Sequence, residues 1–429
     1  MLRDAQGLEV TTNSPSTIAA INRFVFQSLS YGNDALTILQ GIDADPTCAI
    51  AQAHAAAHYL SQETAAAKSQ AAPYVAAAMA LKNVNERERL YVWAIAAWAK
   101  GDIESAIAYH EEIAHKYPRD LASVQRGQYH YFYLGNPESL RQIAETVLPA
   151  NRENHFLYGM IAFGLEQCDS YSEAEELGRL ATAMNRHDPW AHHAVAHVME
   201  MQGRLDEGIA WMESLSDTWE NCNSMLFTHN WWHIALYYLE KEEIEKVLTL
   251  YDSHVWGRAE KESAKDQVGA ISLLLRLELR GVEVGDRWRQ LTAYLTPRIH
   301  EHALPFQDLH YIFALSRAGQ TELVNEMLSS MEAYSTIAGK RWTEVAIPAA
   351  RGLVAYAQGN WETTLAMGSV LSQLQAIGGS HAQRDLFEQV YLDAWVRHEQ
   401  NHQALHLLEK RLAKKRYIPS NLKSHSLLV

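Results

Sequence analysis

A repeat interval of 34 residues constrains this sequence more than any other feature. Gly101, Gly135 and Gly203 lie on one register of that interval, and Asp169 occupies the position between the second and third glycine. A fixed period of this length is typical of helix–turn–helix repeats, in which each repeat packs only against its neighbours. Each of the four positions is therefore predicted to form the short turn inside a helical hairpin.

The residues that follow these turns support the same interpretation. Five positions after each turn the sequence has a small or aliphatic residue, which suits a close helix crossing: Ala106, Leu140, Ala174 and Gly208. In the best copy Ala106 is followed by Ile113 and Pro118. This order of a small residue, an apolar residue and a helix-stopping proline is typical of tetratricopeptide repeats.

The rest of the chain continues the pattern at a looser interval. Further turns are expected at steps of 38 to 40 residues, near Lys241, Gly281, Gly319, Gly359 and Glu399. Upstream, residues 35–46 predict a first hairpin, and residues 51–80 predict an alanine-rich helix pair with Pro73 between its helices. No run alternates apolar and polar residues long enough to predict a strand. The sequence therefore predicts an all-α, tetratricopeptide-like, right-handed superhelical solenoid of about nine hairpins.

We expect one continuous solenoid over residues 1–429 rather than separate domains. No linker rich in Pro, Gly or Ser interrupts the sequence, and a solenoid core grows in one dimension, so it escapes the usual size limit of a globular domain. Within it we distinguish N-terminal helices at 1–82, regular 34-residue repeats at 83–240 and longer, divergent repeats at 241–429.

Charge and cysteine content narrow the range of partners. The formal net charge of −14 argues against nucleic acid and anionic membrane surfaces, since both attract basic proteins. No apolar stretch approaches the roughly 18 residues of a membrane-spanning helix, and the first residues lack a signal-peptide pattern. Three scattered cysteines predict neither a disulfide framework nor a zinc ribbon. We expect a cytoplasmic protein with no nucleic-acid or membrane partner.

Polar residues concentrate on the first helix of two consecutive hairpins. His193 and His197 are four residues apart, and Glu200 follows on the same helical face. His229 and His233 repeat the four-residue spacing on the next first helix. First helices line the concave face of a tetratricopeptide superhelix. The two histidine pairs are therefore expected to face one surface and share one cavity.

Three interpretations of these histidines stay open. Neutral imidazoles are common transition-metal ligands, and two such pairs on adjacent helices are able to close a tetrahedral site for a divalent ion. The zinc-protease motif is absent, because no glutamate follows the first histidine of the first pair. The alternatives are a polar pocket in which the histidines serve as hydrogen-bonding or acid–base groups, and histidines that only pack inside the fold.

The two tryptophans between His229 and His233 give a test of the helix register. Trp231 and Trp232 lie two and three residues after His229, so at about 100° per residue they cannot both share its face. At least one of them is expected to be buried between hairpins.

A third group of polar residues begins a later first helix. Asp308 and His310 precede the turn at Gly319. Because they are only two residues apart, they point about 200° away from each other on a helix. They are therefore not expected to face a groove together.

The segment 378–385 enters the last predicted first helix. Ser380 and Gln383 have the spacing of a capping box. His381, Arg384 and Asp385 are not explained by that box. Since helix N-termini attract anions, Arg384 is a candidate to hold a carboxylate or phosphate group of a ligand.

Several strings of residues form a pattern along nearly the whole chain, from about Asp4 to beyond Leu408. They occupy positions 85–89, 117–120, 131–135, 193–197, 200–203, 229–233, 276–279, 285–288 and 378–385. The most specific are His-Asn-Trp-Trp-His at 229–233 and Gly-Gly-Ser-His-Ala-Gln-Arg-Asp at 378–385. This pattern resembles the tetratricopeptide repeat protein 38 family, with a departure at Asp308-Leu309-His310, where the family has Asp-Ala-His. The resemblance implies the fold and assigns no activity.

The candidate pocket collects the polar residues of these first helices. Its members are His193, His197, Glu200, His229, Asn230, His233, Asp308, His310, His381, Arg384 and Asp385. No nucleophile elbow, phosphate loop, dinucleotide motif or Cys-x-x-Cys is present, so no catalytic residue is assigned.

Three functions fit this set of residues. The first is a binding protein whose concave groove holds a small polar ligand or a peptide in a histidine-rich pocket. The second is an enzyme that uses the same His, Glu and Asp residues, with a metal or as acids and bases, on a small polar substrate. The third is an interaction scaffold without a pocket. Ordinary tetratricopeptide grooves bind acidic peptide tails with Lys, Arg and Asn, and their replacement here by His, Trp, Asp and Glu favours the first function.

Overall fold

The computed structural model describes residues 1–399 and 401–414, and most of these residues are helical. Helices account for almost all of the regular structure. Their bounds along the described chain are α1 (Pro15–Leu29), α2 (Ile38–Ala44), α3 (Ala49–Leu60), α4 (Ala65–Ala80), α5 (Glu86–Lys100), α6 (Ile103–Lys116), α7 (Leu121–Leu134), α8 (Pro137–Thr146), α9 (His155–Gln167), α10 (Tyr171–Met184), α11 (Pro189–Gln202), α12 (Leu205–Glu213), α13 (Ser224–Glu240), α14 (Ile244–Leu250), α15 (Ala264–Glu278), α16 (Arg287–Thr292), α17 (Pro305–Arg317), α18 (Thr321–Ala338), α19 (Ile347–Ala357), α20 (Trp361–Leu365), α21 (His381–Arg397) and α22 (Asn401–Lys414).

Short irregular helices accompany several of these elements. They are the 3-10 segments Ala35–Thr37, Leu148–Ala150, Ser216–Thr218, Thr296–His300 and Ala366–Ile377, and the π-helical segments Tyr251–Val255 and Arg341–Ala346. Two strands of two residues each, β1 (Leu2–Arg3) and β2 (Glu9–Val10), pair antiparallel ahead of α1. The expectation of no strand is wrong for this ribbon, because two-residue strands are too short to show an alternating pattern.

Consecutive helices form hairpins. A residue with left-handed backbone geometry lies in the turn between the two helices of a hairpin. The four turns of the 34-residue register have positive φ angles, 82° at Gly101, 66° at Gly135, 62° at Asp169 and 68° at Gly203. Asp is one of the few residues other than Gly that tolerate this geometry. The predicted register is therefore confirmed over these repeats.

The later turns follow the looser interval that the sequence predicts. They lie at Glu242, Gly281, Gly319, Gly359 and Glu399, so only the first differs from its predicted position, by one residue. Together with the pairs α1–α2 and α3–α4, these nine turns give eleven hairpins in the described residues, two more than the roughly nine expected for the chain.

The N-terminal pairs differ from the expectation in detail. Pro73 lies inside α4 rather than between two helices, and the turn between α3 and α4 is at Glu63, with φ 59°. The alanines around Pro73 have the highest helix propensity of any residue, which offsets part of the cost of an interior proline, about 3 kcal/mol. Residues 35–46 supply only the second helix of the first hairpin, because α1 is its first helix.

The described chain divides into two compact units. The first comprises residues 1–132, 136–195 and 215–226, and the second comprises residues 133–135, 196–214 and those from Phe227 onward. The first unit buries Phe24, Tyr91 and Trp219, whereas the second buries Tyr237 and Trp342. The hairpins confirm the all-α, tetratricopeptide-like class. The single continuous solenoid stays a prediction.

None of the described helices combines the length and apolar character that crossing a membrane requires.

Candidate functional site

Helices α11 and α13 carry the two histidine pairs, and each begins with a side-chain cap. The backbone N–H of Ala191 donates to Asp188 at 3.1 Å, and the backbone N–H of Leu226 donates to Asn223 at 3.0 Å. Such caps satisfy N–H groups that have no partner within the helix. His193 and His197 both lie on α11.

The structure brings the four histidines His193, His197, His229 and His233 together. One ring nitrogen from each lies within 4.8 Å of the corresponding nitrogens of the other three. Three of the rings are buried, whereas His229 is only half-buried. Imidazole nitrogens are donors that transition-metal ions commonly bind, and here four of them come from two helices. We call these residues the four-histidine cluster.

The ring of His233 meets two other rings of the cluster edge to face, one on α11 and one on its own helix. The centroid of His233 lies 4.5 Å from that of His197 and 4.8 Å from that of His229, with interplanar angles of 62° and 79°. Tetrahedral zinc, with Zn–N bonds of about 2.1 Å, separates its ligand nitrogens by about 3.4 Å. The nitrogens of the four-histidine cluster, which lie within 4.8 Å of one another, would have to approach by up to about 1.4 Å to reach that spacing.

Glu200 orients one of the four rings. Its Oε2 lies 3.1 Å from Nδ1 of His233, and both side chains are buried. When Nδ1–H donates to the carboxylate, Nε2 carries the lone pair that faces a ligand. Asn230, another residue of the predicted pocket, is fully buried on the same helix, directly after His229. The predicted residue Glu200 thus contacts the four-histidine cluster through His233.

Burial keeps the histidines of α13 neutral. It lowers the pKa of His229 to about 3, with a further decrease from His197 and an opposing effect of Glu200. Burial also lowers the pKa of His233 far below its ordinary value, and His197, His229 and Arg276 add to this effect. The contact between His233 and Glu200 is therefore a hydrogen bond from a neutral ring rather than an ion pair.

Arg276 of α15 is a site residue that sequence reasoning did not select. Its guanidinium carbon lies 5.3 Å from the ring centroid of Trp232, and the group also donates to the carbonyl of Ala382 at 2.6 Å. Trp232 is 1% exposed and Trp231 is half-buried, which confirms that at least one tryptophan is buried. Arg276 begins one of the strings of the family pattern, and this was the only signal for it.

Asp308 and His310 are buried in separate contacts on α17. Asp308 accepts a hydrogen bond from Nδ1 of His302 at 2.6 Å, and burial raises its pKa to about 6 while His302 opposes the increase. Nδ1 of His310 lies 2.7 Å from the carbonyl oxygen of Phe306, and its ring packs against Phe387. Neither residue belongs to the four-histidine cluster.

The capping box at the start of α21 forms as predicted. The backbone N–H of Gln383 donates to Oγ of Ser380 at 3.3 Å, and the backbone N–H of Ser380 donates to Oε1 of Gln383 at 2.9 Å. The structure therefore assigns these two residues to helix capping.

The other polar residues of this helix start make local contacts. Arg384 donates to the carbonyl of Gly379, Asp385 accepts from Nε2 of Gln389 at 2.7 Å, and His381 is half-buried. The arginine therefore has a backbone acceptor one turn away. An anion held by Arg384 would have to share the guanidinium with that carbonyl.

Comparison with known proteins adds little to this geometry. No protein-family model matches the chain. Two structures of the human IFIT1 dimer, with m7Gppp-AAAA and with PPP-AAAA, align with TM-scores of 0.42 and 0.41 at 14% identity, over 96% of this chain and 97% of theirs. Yeast Tom70 aligns with a TM-score of 0.38 at 11% identity, over 95% of this chain and 85% of its own.

Similarities this low support no inference about what the chain binds. The absence of a nucleic-acid partner and the cytoplasmic location, both drawn from composition, stay predictions.

Proposed function

We propose that this chain is a tetratricopeptide-like binding protein whose four-histidine cluster holds a divalent transition metal, beside which a small polar ligand or a peptide binds. The observation that supports the proposal is the approach of four ring nitrogens to within 4.8 Å of one another. Scattered surface histidines do not converge in this way.

The donor chemistry favours an ion of intermediate softness. Four imidazoles suit Zn²⁺ best among divalent ions without redox chemistry, and Cu²⁺ or Ni²⁺ next, whereas Mg²⁺ and Ca²⁺ prefer oxygen ligands. The hydrogen bond from His233 to Glu200 fits this role, because a carboxylate on the far ring nitrogen fixes the tautomer of a ligating histidine. His229 is the half-buried member, so a ligand is expected to approach the cluster on its side.

The direct experiment compares metal content in matched double variants. Wild-type protein, purified without chelator, is expected to contain about one equivalent of Zn²⁺ when its metal content is measured by inductively coupled plasma mass spectrometry. The His197→Gln/His233→Gln variant should lose it. The control is His402→Gln/His406→Gln, which removes an exposed pair of the same spacing on α22 and should keep the metal.

Two results contradict the proposal. One is wild-type protein that carries no metal and takes up no Zn²⁺ in calorimetry after chelation. The other is equal metal content in the two double variants. Because His197 and His233 are fully buried, His229→Ala, at the half-buried position, provides a second test in case the double variant unfolds.

A second candidate is an enzyme that uses the same residues as acids and bases. The observation that favours it is the buried hydrogen bond between His233 and Glu200, since an oriented imidazole is the usual general base. Activity on a small polar substrate that survives complete chelation would support this candidate over the metal site. If the double variant melts far below wild type and no bound species changes, the scaffold function is favoured instead.

We also propose that the chain is related to the tetratricopeptide repeat protein 38 family. The strings at 193–197 and 229–233 contain the four-histidine cluster, and the string at 276–279 begins with Arg276, which contacts Trp232. Three parts of the resemblance thus meet in one region of the fold. Alignment of many related sequences would test this: substitution of the four histidines in relatives that keep the other strings would contradict a shared site.

A further inference from the structure

His302 connects a serine to a buried carboxylate in a part of the fold outside the four-histidine cluster. Its Nε2 lies 2.7 Å from Oγ of Ser330, and its Nδ1 lies 2.6 Å from Oδ2 of Asp308. His302 lies in the connection between α16 and α17, Ser330 lies on α18, and Asp308 lies near the start of α17. We propose that Ser330, His302 and Asp308 form a nucleophile–base–carboxylate chain that hydrolyses esters of apolar acids.

The carboxylate and the imidazole are buried, and the serine is more exposed than either. Asp308 and His302 are 1% and 4% exposed, whereas Ser330 is half-buried. When the Nδ1–H group of His302 donates a hydrogen bond to Asp308, the lone pair of Nε2 faces the hydroxyl of Ser330. A serine is a weak nucleophile until such a base removes its proton.

The backbone of His302 is held in a sparsely populated conformation. Its φ is 44°, in the left-handed region that few residues other than Gly adopt. Such strain persists only where surrounding structure fixes it, and it is concentrated at functional sites. Here the ring of Tyr334 stacks on the imidazole at 5.2 Å, and Trp342 packs against its edge at 5.9 Å.

A second histidine is positioned beside the reacting oxygen. Nδ1 of His300 lies 2.9 Å from Oγ of Ser330, and its Nε2 lies 2.9 Å from Oε1 of Glu326. The serine hydroxyl therefore has imidazole nitrogens on two sides, His302 and His300, and Glu326 holds the second ring in place.

The surface of α18 next to Ser330 indicates the substrate class. Tyr334 and Ile337 follow Ser330 at positions i+4 and i+7, on the same helical face. Tyr334 is half-buried, and Ile337 is 82% exposed, the highest value among the exposed large apolar side chains of the described residues. An apolar acyl chain lying along this face would cover both residues while its carbonyl carbon reaches Ser330.

The reaction needs only water as a second reactant. Oγ of Ser330 bonds to the carbonyl carbon as its proton passes to Nε2 of His302. The carbon–oxygen bond to the alcohol then breaks, and the alcohol leaves with that proton. Water then gives a proton to Nε2 of His302 as its oxygen bonds to the acyl carbon. The bond between that carbon and Oγ of Ser330 breaks, Oγ takes the proton back from His302, and the carboxylic acid leaves.

Labelling of the full chain with a fluorophosphonate tests the nucleophile. The serine oxygen displaces fluoride from phosphorus, and peptide mass spectrometry locates the adduct. We expect the adduct on Ser330, none in Ser330→Ala, and wild-type labelling in Ser329→Ala, which changes the exposed neighbouring serine of α18. Wild-type protein that is not labelled, or an adduct at another residue, overturns the proposal.

The other two members are tested by rate. His302→Gln should slow labelling by at least about 100-fold, the contribution of a general base. Asp308→Asn, at the positioning residue, should shift the midpoint of the pH–rate profile, a readout that a purely structural residue would leave in place. An unchanged labelling rate in His302→Gln overturns the proposal. So does an unchanged pH–rate profile in Asp308→Asn.

The substrate class is tested with p-nitrophenyl esters. Wild-type kcat/KM is expected to be about 10-fold or more higher for octanoate than for acetate, and Ile337→Ser should reduce only the octanoate value. Equal values for both esters overturn the assignment to apolar acids. Removal of metal from the four-histidine cluster should leave hydrolysis unchanged, so this site and the proposed metal site can fail independently.

Discussion

Gly208 is the position where a single added methyl group should distinguish correct from incorrect packing. It lies on α12, and a Cβ built there would be 2.4 Å from Cζ and 2.7 Å from Cε1 of Tyr237. Carbon atoms normally stay about 3.5–4.0 Å apart. The ring of Tyr237 is fully buried, and its hydroxyl donates to the carbonyl of Ala196 at 2.6 Å. The ring therefore cannot move away without weakening that hydrogen bond.

The expected loss of stability follows from three opposing contributions. Overpacking a close-packed core costs about 1–3 kcal/mol, and weakening a buried hydrogen bond adds about 1 kcal/mol. The better helix propensity of Ala returns up to about 1 kcal/mol. Gly208→Ala should therefore lower the free energy of unfolding by about 2 kcal/mol.

Gly269 of α15 provides the matched control. A Cβ built there meets no atom within 4 Å, so Gly269→Ala should gain up to about 1 kcal/mol from helix propensity alone. Urea denaturation followed by tryptophan fluorescence would measure both variants. The reasoning is refuted if Gly208→Ala unfolds at the wild-type urea concentration or above it, or if both substitutions shift the midpoint in the same direction.

Substitutions at three further places test other parts of the fold. Trp232→Ala should cost about 3–5 kcal/mol, as expected for a fully buried ring, and Trp231→Ala clearly less; equal melting of the two variants would contradict the assigned burial. Burial lowers the pKa of His130 to about 3. The stability that this neutral ring gives is present above pH 6.5 and is lost as the pH falls, by up to about 1.4 kcal/mol per pH unit. Denaturation of His130→Gln between pH 7 and pH 5 should therefore show a weaker pH dependence than wild type. Arg87 and Asp120 form a buried ion pair at 2.7 Å. Arg87→Ala should cost about 3–5 kcal/mol by leaving a buried charge, and Arg87→Met with Asp120→Leu should recover much of it in the same denaturation assay.

The repeat architecture was predictable because its signals are local. A left-handed turn residue restricts the amino acid at one position, so the spacing of Gly101, Gly135 and Gly203 reveals the hairpins directly. Pro73 misled the interpretation for the same reason. A proline normally marks a helix boundary, and only the packing of α4 shows that it is tolerated inside the helix.

The candidate site was predictable only in part. Two i, i+4 histidine pairs on consecutive first helices were enough to suggest the four-histidine cluster, because both spacings are properties of single helices. The contact of Arg276 with Ala382 joins residues 106 positions apart, and the contact of His302 with Ser330 joins residues 28 positions apart across an irregular connection. No period in the sequence encodes such pairs, since they depend on how neighbouring hairpins pack.

The longer steps between turns suggest how a chain of this kind changes length. From Gly203 onward the turns lie 38 to 40 residues apart, and each of these steps contains a 3-10 or π-helical segment, among them Tyr251–Val255 and Arg341–Ala346. An inserted residue is absorbed in such a segment as a local tightening or widening of the helix. The first helix that follows then keeps its own distance to the next turn, and with it the placement of its polar side chains. These connections are accordingly where new sequence enters the fold in evolution or design at least risk to the residues that carry chemistry.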